Sequence, residues 1–180
     1  MKRTETGLQD SYLIEVPRFE DERGFFIESF NLYNQWHLPV LVQDNHSRSI
    51  GGVIRGLHYQ IEHPQGKLVR CSNGIVYDVI VDLRMRSSTF GKSFGVMLDR
   101  PELQLWVPPG FAHGFYTVSE TADFQYKTSD NYYPEYERTL LWNDPILEIN
   151  WPLDSDLTRV PVVSDKDKEG LLFKDCEKYK

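Results

Sequence analysis

The stretch Ile75-Val76-Tyr77-Asp78-Val79-Ile80-Val81-Asp82-Leu83 has the clearest periodic pattern in the chain. Its odd-numbered positions form one wholly apolar face, whereas Asp78 and Asp82 fall on the other face. A period of two is typical of a β-strand, so we predict a half-buried strand here. Asn73-Gly74 precedes this strand and is a turn signal, so we also predict a hairpin with the apolar run at 68–71.

Short runs of the same kind recur along the whole chain. The further predicted strands are 12–16, 25–30, 40–43, 53–59, 67–71, 94–98, 103–107, 115–118, 124–127 and 139–142. Turn sequences separate them, among them Asp21-Glu22-Arg23-Gly24, Gly51-Gly52, Pro64-Gln65-Gly66 and Pro108-Pro109-Gly110. Helical patterns are scarce, with one short candidate around 31–38 and a second beginning near Ser164. These features indicate an all-β barrel or sandwich, and we expect a single domain over residues 1–180 because no linker or repeat divides them.

Composition limits the classes of partner. The chain carries a net charge of −7 with a pI near 5.2, which argues against binding to nucleic acid or to anionic membranes. Two cysteines form no disulfide framework and suit a reducing compartment. The N-terminus lacks the apolar run of a signal peptide, and no stretch has the roughly 20 apolar residues that span a bilayer. We therefore expect a cytoplasmic protein with no membrane contact.

His58, in the segment Arg55-Gly56-Leu57-His58-Tyr59-Gln60, is the first candidate for chemistry. Metal sites of double-stranded β-helix proteins typically use His-x-His, a nearby Glu and a later His. Gln60 stands where the second histidine of that pattern would be, so we predict no metal and no cofactor. A metal-dependent oxygenase or isomerase stays as an alternative.

Without a metal, His58 becomes a candidate general base, because the unperturbed pKa of histidine lies near neutrality. The alternative is a strand histidine that is simply satisfied by hydrogen bonds. Strict alternation places Arg55 and His58 on opposite faces of a regular strand. Both can serve one pocket if Gly56 marks a β-bulge, or if Arg55 reaches around from the strand end.

Segments outside this strand match one known family. The matching pieces are Asp21-Glu22-Arg23-Gly24-Phe25-Phe26-x-Glu28, Gln43-Asp44-Asn45, Arg55-Gly56-Leu57-His58, Gln65-Gly66-Lys67-Leu68-Val69-Arg70, Pro109-Gly110-Phe111-Ala112-His113-Gly114-Phe115, Tyr126-Lys127, Leu141-Trp142-Asn143-Asp144 and Ser164-x-Lys166-Asp167. They stand in the family's order, and together they resemble the dTDP-4-dehydrorhamnose 3,5-epimerase family. The resemblance implies a cupin-type double-stranded β-helix, which is a jelly-roll barrel, with a few short helices. It also implies a homodimer that needs no cofactor.

The resemblance implies four catalytic residues. His58 corresponds to the base and Asp167 to the carboxylate that pairs with it, while Tyr126 corresponds to the acid on the opposite side of the sugar. Lys67 corresponds to the residue beside the substrate carbonyl. Taken alone, Asp167 has another explanation, because Ser164-x-x-Asp167 also fits the start of a helix. Tyr126 could likewise be a core residue with a solvated hydroxyl.

The resemblance also implies a binding set for a dTDP-sugar. Tyr132 corresponds to an aromatic residue that stacks on the thymine ring, and the neighbouring Tyr133 could exchange that role with it. Arg23 and Arg55 are the candidates for the pyrophosphate, because a guanidinium suits phosphate oxygens. The other implied substrate contacts are Glu28, Gln43, Asn45, His113, Glu137 and Lys166.

The chemistry explains why such residues would be needed. Epimerisation next to a 4-keto group removes a weakly acidic C–H proton and returns a proton on the other face. A cation stabilises the charge that develops on the carbonyl oxygen. We expect conversion of dTDP-4-dehydro-6-deoxy-D-glucose to dTDP-4-dehydro-L-rhamnose. Epimerisation at C3 alone and a non-catalytic sugar-nucleotide-binding cupin remain the alternatives.

Overall fold

Two facing antiparallel sheets dominate the computed structural model, which describes residues 1–34, 38–153 and 160–180. The strands are β1 (Lys2–Glu5), β2 (Tyr12–Glu15), β3 (Arg18–Asp21), β4 (Gly24–Ile27), β5 (Gln43–Ile50), β6 (Val53–Gln60), β7 (Lys67–Asn73), β8 (Val76–Asp82), β9 (Ser93–Leu98), β10 (Leu103–Val107), β11 (Phe111–Thr117), β12 (Thr121–Thr128), β13 (Glu137–Thr139) and β14 (Val162–Val163). Helix α1 spans Asp165–Lys168, and short 3₁₀ helices span Leu32–Asn34 and Pro134–Tyr136.

The strand order is that of a jelly roll. One sheet has the order β1-β2-β10-β7-β12-β5, and the other has the order β13-β6-β11-β8-β9 with β14 parallel to β6. From β5 to β12 successive strands alternate between the two sheets, except that β8 and β9 lie side by side in one sheet, and this arrangement makes a double-stranded β-helix. The core between the sheets includes Val69, Ile80, Leu105 and Phe124, all almost fully buried. The all-β, cupin-type fold that the resemblance implied is confirmed.

The predicted hairpin at Asn73-Gly74 is wrong. Strand β7 pairs with β10 and β12, whereas β8 pairs with β9 and β11, so the two strands lie in different sheets. The Asn-Gly turn therefore carries the chain across the barrel. Gly74 has φ +85°, and a Cβ atom there would lie 2.2 Å from the carbonyl oxygen of Thr121. Asn73-Gly74 forms a turn, as predicted, but tertiary packing decides which strands this turn joins.

Strand β8 is also more deeply buried than its pattern predicts. Val79 and Val81 pack under the C-terminal part of the chain, in a cluster that includes Leu140. Asp78 and Asp82, on the face expected to meet solvent, are fully buried as well. The alternation of charge and apolar residues therefore marks two buried faces, one of which contains carboxylates with specific partners.

Most other predicted strands are present, with shifted ends in the polar regions. Strand β5 covers Gln43–Ile50 rather than 40–43, because its alternating polar residues mask the strand pattern. Strand β11 begins earlier than predicted, at Phe111, and β13 ends where the predicted strand 139–142 began. Helix α1 begins directly after Ser164, as expected. The candidate helix at 31–38 is a 3₁₀ turn over Leu32–Asn34, and residues 35–37 lie outside the described part.

Across residues 1–34, 38–153 and 160–180, no helix has the length and apolar character needed to cross a membrane.

Candidate active site

A cavity of about 630 Å³ lies between the two sheets. Strands β5, β7 and β12 supply one wall and β6 and β11 supply the other, while the segment from β14 into helix α1 closes one side. All four residues proposed as catalytic from the sequence line this cavity: His58, Lys67, Tyr126 and Asp167. The barrel thus brings together residues that are up to 109 positions apart in the chain.

His58 and Asp167 form a hydrogen-bonded pair. The Nε2 atom of His58 lies 2.5 Å from Oδ1 of Asp167, and the backbone N–H of Gly56 donates to Oδ2 at 3.3 Å. Burial raises the pKa of Asp167, but the hydrogen bond and charge of His58, together with the bonds from Gly56 and Ser164, hold the pKa below its usual value. Asp167 also occupies the first turn of α1, where its N–H donates to the Ser164 side chain. The helix-start explanation and the pairing with His58 therefore both apply.

Gly56 brings Arg55 to the same cavity as His58. The pairing of β6 with β11 changes register here, since His113 lies opposite His58 while Phe115 lies opposite Arg55. Three steps along β6 thus match two along β11, which is a β-bulge. Gly56 has φ +117°, and a Cβ atom there would lie 2.7 Å from His113 O. Glycine is therefore required, and the bulge turns Arg55 toward the cavity.

Tyr126 lies on the wall opposite His58. It belongs to β12 in the first sheet, whereas His58 belongs to β6 in the second, and both line the cavity. Burial raises the pKa of Tyr126, and the charge of Glu137 raises it further while Arg55 opposes the shift. The phenol is therefore protonated at neutral pH and can act as a proton donor.

Lys67 is a buried cation at the base of the same cavity. Its Nζ donates to the backbone carbonyl of His58 at 3.4 Å. Burial lowers its pKa to about 8, although Glu137 and Asp78 counteract the shift. The ammonium form therefore predominates at neutral pH and is lost in mildly alkaline solution.

The structure adds a residue that the sequence analysis did not select. Asp78 accepts hydrogen bonds from Nε2 of His113, at 2.9 Å to Oδ2 and 3.1 Å to Oδ1. Burial raises the pKa of Asp78 and lowers that of His113. The charge of Asp78 also raises the pKa of Lys67. The sequence feature that could have identified Asp78 is its carboxylate within a largely apolar strand. We predicted that this face of the strand would be exposed to solvent.

Apart from Arg23 and Glu28, the implied binding residues either line the cavity or lie at its rim, where hydrogen bonds connect them. Asn45, Arg55, His113 and Lys166 line the cavity. Gln43 donates to Oδ1 of Asn45 at 2.9 Å and accepts from the backbone N–H of Tyr132 at 3.1 Å. Glu137 accepts hydrogen bonds from the hydroxyl of Tyr132, at 2.9 Å, and from the ammonium of Lys166. The rim is therefore one continuous hydrogen-bonded series.

Tyr132 and Tyr133 have different surroundings. The ring of Tyr133 packs at a tilt against that of His63, with ring centroids 4.5 Å apart, and also contacts Tyr136. The side chain of Tyr132 is 47% exposed and is oriented by its bond to Glu137. Tyr132 thus has an open ring face, whereas Tyr133 is already engaged by its neighbours.

Arg23 and Glu28 do not line this cavity. Arg23 sits at the turn of the β3–β4 hairpin, where its guanidinium pairs with Asp21 at 2.6 Å. Glu28 follows the hairpin and accepts a hydrogen bond from Asn31 at 3.1 Å. Within one chain, these two residues are therefore separate from the other implied binding residues.

The described residues contain no group of three or more His, Cys, Asp or Glu side chains placed to hold a metal ion. Gln60, which replaces the second histidine of the metal pattern, uses its amide to bond the backbone of neighbouring loops.

Comparison with known proteins gives a consistent result. A family model described as dTDP-4-dehydrorhamnose 3,5-epimerase matches residues 5–175. The chain is 50% identical to the dTDP-4-dehydrorhamnose 3,5-epimerase of Pseudomonas aeruginosa over 182 residues, which cover 98% of each protein. It is 48% identical to the enzyme of that name from Escherichia coli, covering 91% of this chain and 89% of the relative.

Among solved structures, a dTDP-6-deoxy-D-glucose-3,5-epimerase from Legionella pneumophila is similar with a TM-score of 0.92 and 43% identity. The match covers 98% of this chain and 94% of the other, and that protein was crystallised with dTDP-4-keto-L-rhamnose.

Proposed function

The chain belongs to the dTDP-4-dehydrorhamnose 3,5-epimerase family, and we propose that His58 and Tyr126 move the protons of its reaction on opposite faces of the sugar. The protein is an isomerase that converts dTDP-4-dehydro-6-deoxy-D-glucose to dTDP-4-dehydro-L-rhamnose. The observation that carries the proposed mechanism is the placement of these two side chains on facing sheets around one cavity.

His58 acts as the base. It takes the proton from the carbon next to the 4-keto group and becomes an imidazolium, which the ionised Asp167 stabilises at 2.5 Å. The low pKa of Asp167 keeps it ionised, so the pair can hold the added proton without a second proton transfer. The electrons of the broken C–H bond form the enolate.

Lys67 stabilises the enolate oxygen, since a preorganised cation in a water-poor site acts strongly on developing charge. Tyr126 then donates its hydroxyl proton to the opposite face of the same carbon, which inverts that carbon. The phenolate then regains a proton from solvent, because its pKa is raised by burial, and the imidazolium of His58 releases the abstracted proton to solvent, so both groups are restored for the second carbon. No step changes the oxidation state of the substrate, so the proposed mechanism requires no redox cofactor.

The nucleotide is held at the rim of the cavity. Arg55 and Lys166 line the cavity in addition to Lys67, and their positive charge suits the pyrophosphate. Tyr132 offers its open ring face to the thymine, in agreement with the greater engagement of Tyr133.

Deuterium incorporation tests the reaction directly. The protein is incubated with dTDP-4-dehydro-6-deoxy-D-glucose in deuterated water, and the sugar is analysed by NMR. We expect deuterium at both C3 and C5. Incorporation at C3 alone would identify a C3-specific epimerase, and incorporation at neither carbon would refute the mechanism.

We also propose a homodimer in which the β3–β4 hairpin meets the partner subunit. Phe19 and Phe26 are cross-strand neighbours on one face of this hairpin and are 63% and 67% exposed, which makes an apolar patch suited to a protein interface. Arg23 at its turn would then contact nucleotide bound to the partner. Light scattering of Phe26→Asp tests the interface, and a dimer unchanged in mass and stability would contradict it.

Single-domain organisation over residues 1–180 and a cytoplasmic location complete the proposal. Strands from both ends of the chain, β1 and β14, join the two main sheets, which supports one domain. Cys71 and Cys176 are free thiols, as suits a reducing compartment.

A further inference from the structure

We propose that Gln60 is a positioning residue for nucleotide binding, because its side-chain amide holds the backbone on both sides of Tyr132. The proposal rests on the proposed function, in which Tyr132 stacks on the base. It assigns Gln60 no contact with the substrate. Its effect is exerted entirely through the loop that carries Tyr132.

The amide of Gln60 makes three hydrogen bonds to backbone. Its Nε2 donates to the carbonyl of His63 at 2.8 Å and to the carbonyl of Asn131 at 3.3 Å. Its Oε1 accepts from the N–H of Tyr133 at 2.8 Å. Asn131 and Tyr133 are the immediate neighbours of Tyr132, so one amide fixes the chain before and after that residue.

Gln43 completes the restraint from the cavity side. Its Oε1 accepts from the N–H of Tyr132 itself at 3.1 Å. Three consecutive residues of this loop therefore have backbone groups bound by two glutamine side chains. Since the Tyr132 hydroxyl is held by Glu137, both ends of the tyrosine are oriented before any ligand arrives. Such preorganisation lowers the entropy cost of binding.

The surroundings of Gln60 require an amide at this position. The side chain is 3% exposed and faces two carbonyl oxygens and one N–H group. An amide supplies donors and an acceptor together, whereas a carboxylate supplies acceptors and an aliphatic chain supplies neither. Gln60 is two residues after His58 on the same strand but does not line the cavity. The position that a metal ligand would take in other cupins is therefore used here to fasten a loop.

The main test is Gln60→Met, which keeps the length of the side chain and removes all three bonds. Gln104→Met is the matched control, because Gln104 is equally buried at 2% exposure and donates to a backbone carbonyl, that of Ser29 at 2.8 Å. We expect Gln60→Met to raise the Kd for dTDP and the KM for the dTDP-sugar about tenfold, with kcat within about twofold of wild type. Gln104→Met should leave the Kd, the KM and kcat unchanged.

A double-mutant cycle with Tyr132→Ala identifies the route of the effect. If Gln60 acts through Tyr132, the variant with both substitutions binds dTDP no more weakly than Tyr132→Ala alone. Gln60→Glu provides a second test, because it keeps the acceptor for Tyr133 but sets a carboxylate against two carbonyl oxygens. Gln60→Glu should also raise the Kd for dTDP, which keeps the proposal testable if the Gln60→Met variant folds poorly.

The outcomes separate this proposal from the proposed function. Additive losses in the cycle, a lower kcat with unchanged KM, or an unchanged Kd in both Gln60 variants would overturn the positioning role. If Tyr132→Ala binds dTDP normally, the stacking assignment falls and the Gln60 proposal falls with it. Failure of the wild-type protein to incorporate deuterium would refute the enzymatic mechanism, while the dTDP affinities would still decide the role of Gln60.

Discussion

Three histidines that line the cavity, His46, His58 and His113, pair with aspartates, and the pairs of His58 and His113 differ in burial. His58 and Asp167 are 109 residues apart and meet at 2.5 Å, with 27% of the histidine side chain exposed. His113 and Asp78 are 35 residues apart on neighbouring strands, and their side chains are 8% and 0% exposed. The pairs of His58 and His113 therefore place the same two residue types at an open position and within the core.

Burial gives the two pairs opposite electrostatic properties. The pKa of Asp167 is held below its usual value by His58 despite partial burial, whereas burial raises the pKa of Asp78 and lowers that of His113. The open pair can accept a proton at low cost because its carboxylate is ionised. In the buried pair, burial disfavours the charged form of both Asp78 and His113, which suits a structural role rather than proton transfer. Residue type alone does not distinguish these roles.

The largest expected difference between the pairs comes from replacing each histidine. We expect His58→Asn to lower kcat by about 10³-fold, because it removes the base while an amide can still bond Asp167. His113→Asn should lower kcat by about tenfold or less, because it changes only the surroundings of the reacting carbon. Rates of deuterium incorporation at C3 and C5 measure both effects. If His113→Asn lowered kcat more than His58→Asn does, His113 rather than His58 would be assigned as the base.

Replacing the carboxylates should give the next largest difference. Asp167→Asn is expected to lower kcat by about 10²-fold or more, since the imidazolium loses its counter-charge and the preferred tautomer changes. Asp78→Asn should cost about tenfold or less. Asp165→Asn is the control on helix α1, because Asp165 is exposed and pairs with Lys168. Equal losses in the Asp167 and Asp78 variants, measured as steady-state kcat, would remove the distinction between the pairs.

Tyr126→Phe should separate proton removal from inversion. We expect formation of the L-sugar to fall about 10²-fold because the donor on the second face is lost. His58 can still exchange the substrate proton with solvent on its own face, so deuterium should enter with retention of configuration. Adding His58→Asn should abolish this exchange, whereas adding His113→Asn should preserve it. NMR of the recovered substrate gives both quantities, and loss of exchange in Tyr126→Phe would contradict the assignment.

The smallest expected effect is a shift in pH dependence. The pKa of Lys67 is lowered by burial to about 8, so kcat should decline as pH rises through about 8 and the ammonium loses its proton. Asp78 raises that pKa, and Asp78→Asn should therefore move this decline to lower pH. Lys67→Arg should remove the decline, because a guanidinium stays charged. A pH profile with the same alkaline limb in wild type and Asp78→Asn would show that the buried pair does not support Lys67.

The strands that sequence analysis located best are the apolar ones. Strands β8 and β10 show near-continuous hydrophobic runs, and their positions were predicted within a residue or two. Strand β5 was misplaced because it reads Gln-Asp-Asn-His-Ser-Arg-Ser-Ile, with polar residues on the face that borders the cavity. The wall of a polar binding site lacks the alternation of apolar and polar residues that identifies a strand. A strand in such a wall is therefore hard to predict from the sequence.

The pairing of strands was less predictable than their positions. Asn73-Gly74 is a valid turn, yet it joins two sheets, because a jelly roll places consecutive strands on opposite walls. Local turn chemistry does not report which strand supplies the neighbouring hydrogen bonds. The same limit applies to Arg23, whose place in a turn was predicted but whose separation from the cavity was not.

By itself the sequence determined the fold class and the family and provided the candidate reactive side chains, because these depend on local patterns and motifs. Only the tertiary structure decided that His113 pairs with Asp78, and which histidine is open to solvent and which is buried. It also decided that Gln60 binds a loop and that Gly56 turns Arg55 toward the cavity. The physical reason is that burial, and with it the pKa of each group, depends on contacts between distant strands.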